Sequence, residues 1–200
     1  MTEFNYADSD TVFPTQIVTD RLKMNRTDVS DENPRELYKK LTSESAIAAK
    51  PETYPVAKPR TVMDVKNRYF DDVNNEEESV SYFIRKKRTD EIAGIFAVFP
   101  TWDCKRLETG IWLDSDYWGE GYSKERGEAV LELTFEQLDF EYVRVRTAPD
   151  NQNAQKAIEK YILENGGRKD GRVRGDLYNE NTQKVSDQIY YSITKTEYVE

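Results

Sequence analysis

Histidine is missing from all 200 residues, and cysteine occurs once, as Cys104. The first absence removes the Ser-His-Asp and Cys-His triads and every zinc or iron site that needs a histidine. The second removes disulfides within the chain and CxxC metal motifs, and it fits a reducing compartment. Long apolar runs are missing too: the longest, residues 92–99, is far below the ~18 residues that span a bilayer. Residues 1–10 are acidic and polar, without the basic-then-apolar pattern of a secretory leader. The chain therefore reads as cytoplasmic with no membrane partner. Its chemistry must rest on carboxylates, Tyr, Ser, Lys or backbone amides, and no metal site is expected.

Aromatics are plentiful, with 13 Tyr, 8 Phe and 3 Trp, which is too much apolar surface for a disordered polymer. The 38 acidic residues against 29 basic ones give a net charge of -9, which disfavours gripping nucleic acid and favours a cationic partner. A high-salt cytoplasm would produce the same acidic excess. No repeat or linker divides the chain, so the expected organisation is a flexible tail over residues 1–14 and a single domain over 15–200. Whether it is a monomer or a homodimer is open.

Periodicity predicts a first strand over 16–26 with a break at Asp20, then a short helix opened by Asp31 or Asn33 with Pro34 at its first position. Residues 45–60 hold Pro51, Pro55 and Pro59 and read as loop, and a helix is predicted over 61–72, followed by an acidic turn at 74–78. Strands are predicted at 79–86 and 91–99, joined by the polar turn 87–90, and at 106–113. From Ser123 a helix follows, with Leu131, Thr134, Phe135 and Leu138 on one face and Glu125, Glu128 and Glu132 facing water. A strand at 142–148, a helix from Asn151 stopped by Gly166 and Gly167, and strands at 168–178 and 187–194 complete an α/β reading: a mixed sheet with helices on its faces.

Chemistry concentrates at DSDYWGEGYSKE, residues 114–125, where a strand ends, Gly119 and Gly121 follow, and a helix begins at once. Glycines there let main-chain amides converge, and the helix start adds free N–H groups and positive dipole, an arrangement suited to phosphate. Alone, Gly-x-Gly is equally consistent with a plain turn.

The flanking residues say more. LETGIWLDSDYWGEGYSKE, then APDNQNAQKAIEK one helix and one strand later, resembles the GNAT superfamily of acetyl-CoA-dependent N-acetyltransferases, most closely its RimJ/RimL-like branch. VTDRLKM near the amino terminus is similar to the branch's opening strand, so the likeness runs from about Thr19 to Gly171 in the right order. The resemblance implies a GNAT-like, mostly antiparallel central sheet with a splayed strand pair, at 106–113 and 142–148. It implies that the backbone at Ile111, Trp112 and Leu113 pairs with the pantetheine arm of acetyl-CoA. Amides of Trp118, Gly119, Glu120, Gly121, Tyr122, Ser123 and Lys124 would hold the pyrophosphate, and Asn151 would line the pantetheine.

For the reaction, the resemblance makes Glu108 the candidate base, since removing a proton from an amine of unperturbed pKa ~8 to ~10.4 needs an acceptor group. A Glu108 merely ion-paired to Arg106 or Arg144 is an equally weighted alternative. Glu120 departs from the family by putting a negative charge in the phosphate loop, which Lys124 and Arg126 would offset. Ile158 stands where many members carry the Tyr that protonates the departing thiolate; Tyr161 would serve only on a rotated or kinked helix. Cys104, without histidine, is incidental. The implied activity is acetyl transfer to a primary amine, with a basic protein N-terminus, such as that of a ribosomal protein, as the expected acceptor. The alternative is a non-catalytic acyl-CoA-binding or partner-binding module on the same fold.

Overall fold

The computed structural model describes residues 1–9, 11–27, 33–44, 59–67, 77–179 and 183–199. Nine strands form one sheet: β1 Glu3–Asn5, β2 Gln16–Val18, β3 Leu22–Arg26, β4 Val80–Lys86, β5 Ile92–Thr101, β6 Arg106–Leu113, β7 Tyr142–Thr147, β8 Arg168–Asn179 and β9 Lys184–Thr194, in the order β1-β2-β3-β4-β5-β6-β7-β9-β8. Every neighbouring pair is antiparallel except β6 with β7.

Helices cover both faces. On one, Leu37 and Leu41 of α1 (Asn33–Leu41) and Val65 of α2 (Val62–Lys66) pack on Phe83, Ile95 and Trp112. On the other, Ala129 and Val130 of α3 (Tyr122–Glu132) meet Phe96 and Leu107. There also Ile158 and Ile162 of α4 (Gln152–Ile162) meet Val143, Val145 and Tyr191. A last helix, α5, spans Lys195–Val199. The alternation along β6 and β7 sets these sides: Leu107, Val143 and Val145 face α3 and α4, so Glu108, Gly110, Trp112, Arg144 and Arg146 face the opposite way.

Several expectations are corrected. Residues 1–14 are no loose tail: β1 pairs with β2, and Phe13 is fully buried, because an apolar ring so close to the sheet gains more by burial than the segment loses in freedom. The single strand at 16–26 is two, β2 and β3, paired antiparallel about a turn at Asp20. The helix from 122 changes period: after Glu132 it continues as a π-turn over Leu133–Gln137, and its extra residue buries Leu133 and leaves Leu138 half-buried. Of the expected 61–72 helix, Val62–Lys66 is present, opened by the Thr61 hydroxyl accepting the Asp64 N–H. Residues 68–72 lie outside the described residues, as do Asp31, 45–58 and 74–76.

Candidate active site

The parallel pairing of β6 and β7 runs from Arg106↔Tyr142 to Thr109↔Val145 and then stops, although β6 continues to Leu113 and β7 to Thr147. A slot thus opens through the sheet where a parallel pair would otherwise close it. On its far side β6 stays paired to β5 through Gly94↔Leu113. The Asp114 N–H donates to Ala93 O on β5 (2.9 Å), so by strand alternation the N–H groups of Ile111 and Leu113 point into the slot. The Leu113 carbonyl accepts the Trp118 indole N–H at 2.9 Å, tying the following loop to the strand end.

At the slot's mouth on the α3/α4 side lies a cavity of about 330 Å³. Ile111, Trp112, Leu113, Trp118, Gly119, Gly121, Tyr122, Ser123, Lys124 and Asn151 line it, and Glu120 and Glu108 do not. Gly119 (φ 84°) and Gly121 (φ 82°) both take left-handed conformations that suit glycine, and Gly121 caps α3 without a side-chain hydrogen bond. The first N–H groups of α3 therefore have no side chain capping them, and they converge with the dipole at the cavity. The buried Oγ of Ser115, another lining residue, has no hydrogen-bond partner among the described residues. Asn151 caps α4 by accepting the Ala154 N–H at 3.1 Å, which leaves its amide nitrogen as the donor for a ligand.

What sequence reading missed is the wall supplied by α4: Asn153, Lys156, Ala157 and Lys160 fall on one stripe, and the lysines add exposed positive charge. The i, i+3, i+4, i+7 spacing was the available signal. It also missed the clamp behind the loop. Glu125, expected to face water, accepts from the Arg21 backbone N–H (2.8 Å) and Nε (2.6 Å), while Arg21 Nη1 donates to the Glu120 carbonyl at 2.8 Å. The Arg21 guanidinium also lies over the Tyr122 ring. This clamp joins residues about a hundred positions apart, so no local pattern announces it.

Charge near the loop departs from expectation in two ways. Lys124 is bound to Glu164, with Glu128 3.6 Å away, and these carboxylates raise its pKa, the Glu164 hydrogen bond most. Arg126 cannot offset Glu120, because it is fully buried: its Nη1 donates to Thr109 Oγ1 (3.0 Å), and its guanidinium lies between the Phe96 and Tyr161 rings. Burial lowers its pKa. Tyr161 is equally buried and lines no part of the cavity; the ring fills the space beside Gly127, where any Cβ would overlap it. Ile158 packs into the core, and α4 is regular, so the rotation that would bring Tyr161 round is absent.

Glu108 stands on the face opposite the cavity, paired in register with Arg144 one residue before the slot opens. Its Oε1 accepts from Arg144 Nη2 and lies 3.5 Å from Arg106 Nη2. The ion-paired arrangement is thus present on that face. Cys104 is exposed at the end of the short turn Trp102–Cys104 that leads into β6, and it does not line the cavity. No helix is long and apolar enough to cross a membrane, and no cluster of three or more metal-type ligands occurs, among the described residues.

No curated protein matches the chain in sequence. Solved structures share the fold. A GNAT-family acetyltransferase from Bacillus anthracis superposes with a TM-score of 0.73 at 18% identity, over 91% of this chain and 99% of that one. A provisionally named acetyltransferase from T. thermophilus gives 0.76 at 21% identity, over 94% of each chain. A provisionally named ribosomal-protein-serine acetyltransferase from Vibrio cholerae gives 0.69 at 16%, over 90% and 97%. Residues 21–161 match the family described as Acetyltransferase (GNAT) domain, spanning the clamp, the slot, the glycine loop and α4. The chain therefore belongs to the GNAT acetyltransferase family.

Proposed function

We propose that this protein transfers an acetyl group from acetyl-CoA to a primary amine by direct attack, with no covalent enzyme intermediate. The observation that carries this reading is the slot beyond Thr109↔Val145 with a cavity and an uncapped helix start at its mouth. The residues fit the donor. Amides of residues 118–124 suit a pyrophosphate, Lys156 and Lys160 add positive charge, and the Ile111 and Leu113 edge can pair with an amide-bearing arm as an added strand.

In the reaction the C–N bond forms as the C–S bond breaks, and coenzyme A leaves. A backbone N–H at Ile111 or Leu113 would meet the carbonyl oxygen as charge builds on it. Glu108, directly or through water, would take the proton from the amine. The departing thiolate would be protonated from solvent, because Ile158 and Tyr161 are both turned into the core. That vacancy favours the second reading, a non-catalytic acyl-CoA-binding module. The net charge of -9 and the sequence likeness support a RimJ/RimL-like role, acetylation of a basic protein α-amine, whereas the guanidiniums flanking the slot point the other way.

Isothermal titration should show acetyl-CoA binding, displaced by coenzyme A. Absence of binding at near-millimolar ligand sinks the donor assignment, and tight binding without thiol release over a broad amine panel selects the module. Glu108→Gln should lower turnover more than it lowers coenzyme affinity; an unchanged rate leaves Glu108 a purely structural ion-pair partner.

A further inference from the structure

The face opposite the donor cavity carries a charge pattern that the overall composition hides. Gly110 and Arg146 each sit one residue beyond the last β6–β7 pair, Thr109↔Val145, so they confront each other across the mouth of the slot. Both belong to the face away from α3 and α4, because Val145 and Leu107 point into the cores beneath those helices. Gly110 is exposed, and a Cβ built there would touch nothing within 4 Å, so the floor of the slot is open on this side. An acceptor amine has room to descend over Gly110, with Glu108 beside it on the same strand face.

Arg146 is held in place rather than waving in solvent. Its Nη1 donates to Asp176 Oδ2 (2.8 Å) and lies 3.3 Å from the Tyr190 hydroxyl, which itself donates to the same Asp176 oxygen at 2.6 Å. Its Nη2 and Nε make no hydrogen bond among the described residues, and the side chain is 41% exposed. The two-donor edge of a guanidinium fixed in this way matches a carboxylate in shape and charge. Arg144, two residues earlier on the same face, stacks over the Tyr190 ring and is bound to Glu108. The two ion-pair groups flanking the slot hold three guanidiniums, of Arg106, Arg144 and Arg146, against two carboxylates, of Glu108 and Asp176. A chain of net charge -9 thus turns a locally positive surface toward its acceptor. A lysine- or arginine-rich tail is disfavoured there, and an anionic group is favoured.

We propose that the acceptor is an α-amino acid, its amine lodged over Gly110 and its carboxylate bound by the free edge of Arg146, with Arg144 adding positive charge. An α-amino acid carries both groups on one carbon, and Gly110 and Arg146 occupy facing positions on the two strands that border the slot. The inference rests on the acetyl-transfer reading. The amine nitrogen bonds to the acetyl carbon, its proton passes to Glu108 or water, and coenzyme A departs as the thiol.

The test compares the proteinogenic amino acids, each with its own α-amide, as acceptors at saturating acetyl-CoA, following thiol release. The amide keeps the amine and side chain, removes the carboxylate, and mimics a protein N-terminus. At least one amino acid should be used with a kcat/KM ten or more times that of its amide. In Arg146→Gln that ratio should collapse toward one, through KM, with acetyl-CoA affinity unchanged. Arg146→Lys should keep part of the preference. Because each ratio is compared between wild type and variant, the differing basicities of the paired amines cancel. Amides or basic peptides used as well as the acids by the wild type overturn the proposal, whatever the variants do, and so does an unchanged ratio in Arg146→Gln. If acetyl-CoA binds and no amino acid is acetylated, this acceptor assignment falls and the donor assignment stands; if acetyl-CoA does not bind, both fall.

Discussion

Replacing Gly121 with valine probes the phosphate loop where backbone conformation and ligand binding are most directly linked. Gly121 has φ 82° and ψ 4°, the left-handed region, immediately before α3 begins at Tyr122. A side chain in that region costs about 1–2 kcal/mol, and β-branching makes the conformation less accessible still. Space adds little: a Cβ would lie 3.3 Å from Arg21 Nη2, the tip of a side chain that can shift, though only by loosening the guanidinium that also holds the Glu120 carbonyl. Two outcomes are possible for the strain. If the backbone stays in place, the fold loses about 1–2 kcal/mol, which a domain with a typical stability of ~5–15 kcal/mol survives, and Tm falls by about 2–4 °C per kcal/mol. If φ relaxes toward negative values, the Tyr122 and Ser123 N–H groups turn off their common target. Either way a β-branched side chain now stands beside the anion. Acetyl-CoA affinity should fall at least tenfold, which is about 1.4 kcal/mol. Isothermal titration with acetyl-CoA and with coenzyme A, alongside a thermal melt of each protein, separates loss of fold from loss of site. A Gly121→Val protein that melts like the wild type and binds the coenzyme equally well refutes the argument, and would mean that the pyrophosphate lies elsewhere.

Three further outcomes follow from the same geometry. Glu120 is exposed and lines no part of the cavity, so Glu120→Lys should tighten acetyl-CoA binding modestly at low ionic strength and less at high; a salt-independent effect would contradict a screened surface charge. Gly127 packs against the Tyr161 ring with no room for a Cβ, so Gly127→Ala should cost about 1–3 kcal/mol by overpacking, read as a fall in Tm, and an unchanged melt would mean the ring is free to move. The Asp176 carboxyl is held below the ordinary value by the Tyr190 hydrogen bond above all, with Arg146 assisting and burial opposing. A carboxyl depressed in the folded state stabilises fully above its unfolded pKa of ~3.9 and loses that contribution as pH falls through the folded value. The Tm gap between wild type and Asp176→Asn should therefore be widest near neutral pH and shrink in acid below about pH 4; a gap constant down to about pH 2.5 would show that the ion contributes nothing.

Much of this protein is written locally in its sequence. Alternation of apolar and polar residues marked β6 and β7, and apolar stretches joined by a polar turn marked β4 and β5, each to within about two residues. Asn151 announced the start of α4 through its side-chain cap, and Gly119 and Gly121 announced the loop through the left-handed backbone that they adopt. What only the tertiary structure decided involves groups far apart in the chain. β1 could not be read because three residues carry no periodicity, and their order comes from pairing with β2. The π-turn after Glu132 shifted the buried face by one residue, which no average period reveals. Arg126 looked like a surface charge beside the loop, yet burial between Phe96 and Tyr161 removes it from the ligand. The Arg21–Glu125 clamp, the end of pairing at Thr109↔Val145 and the contact of Arg146 with Asp176 each join segments separated by tens of residues. Sequence fixes what each segment can bury and which charges it carries. Which charges meet, and whether the face that holds Gly110 and Arg146 is positive in an acidic protein, depends on strand order and register, and these are set by the sheet as a whole.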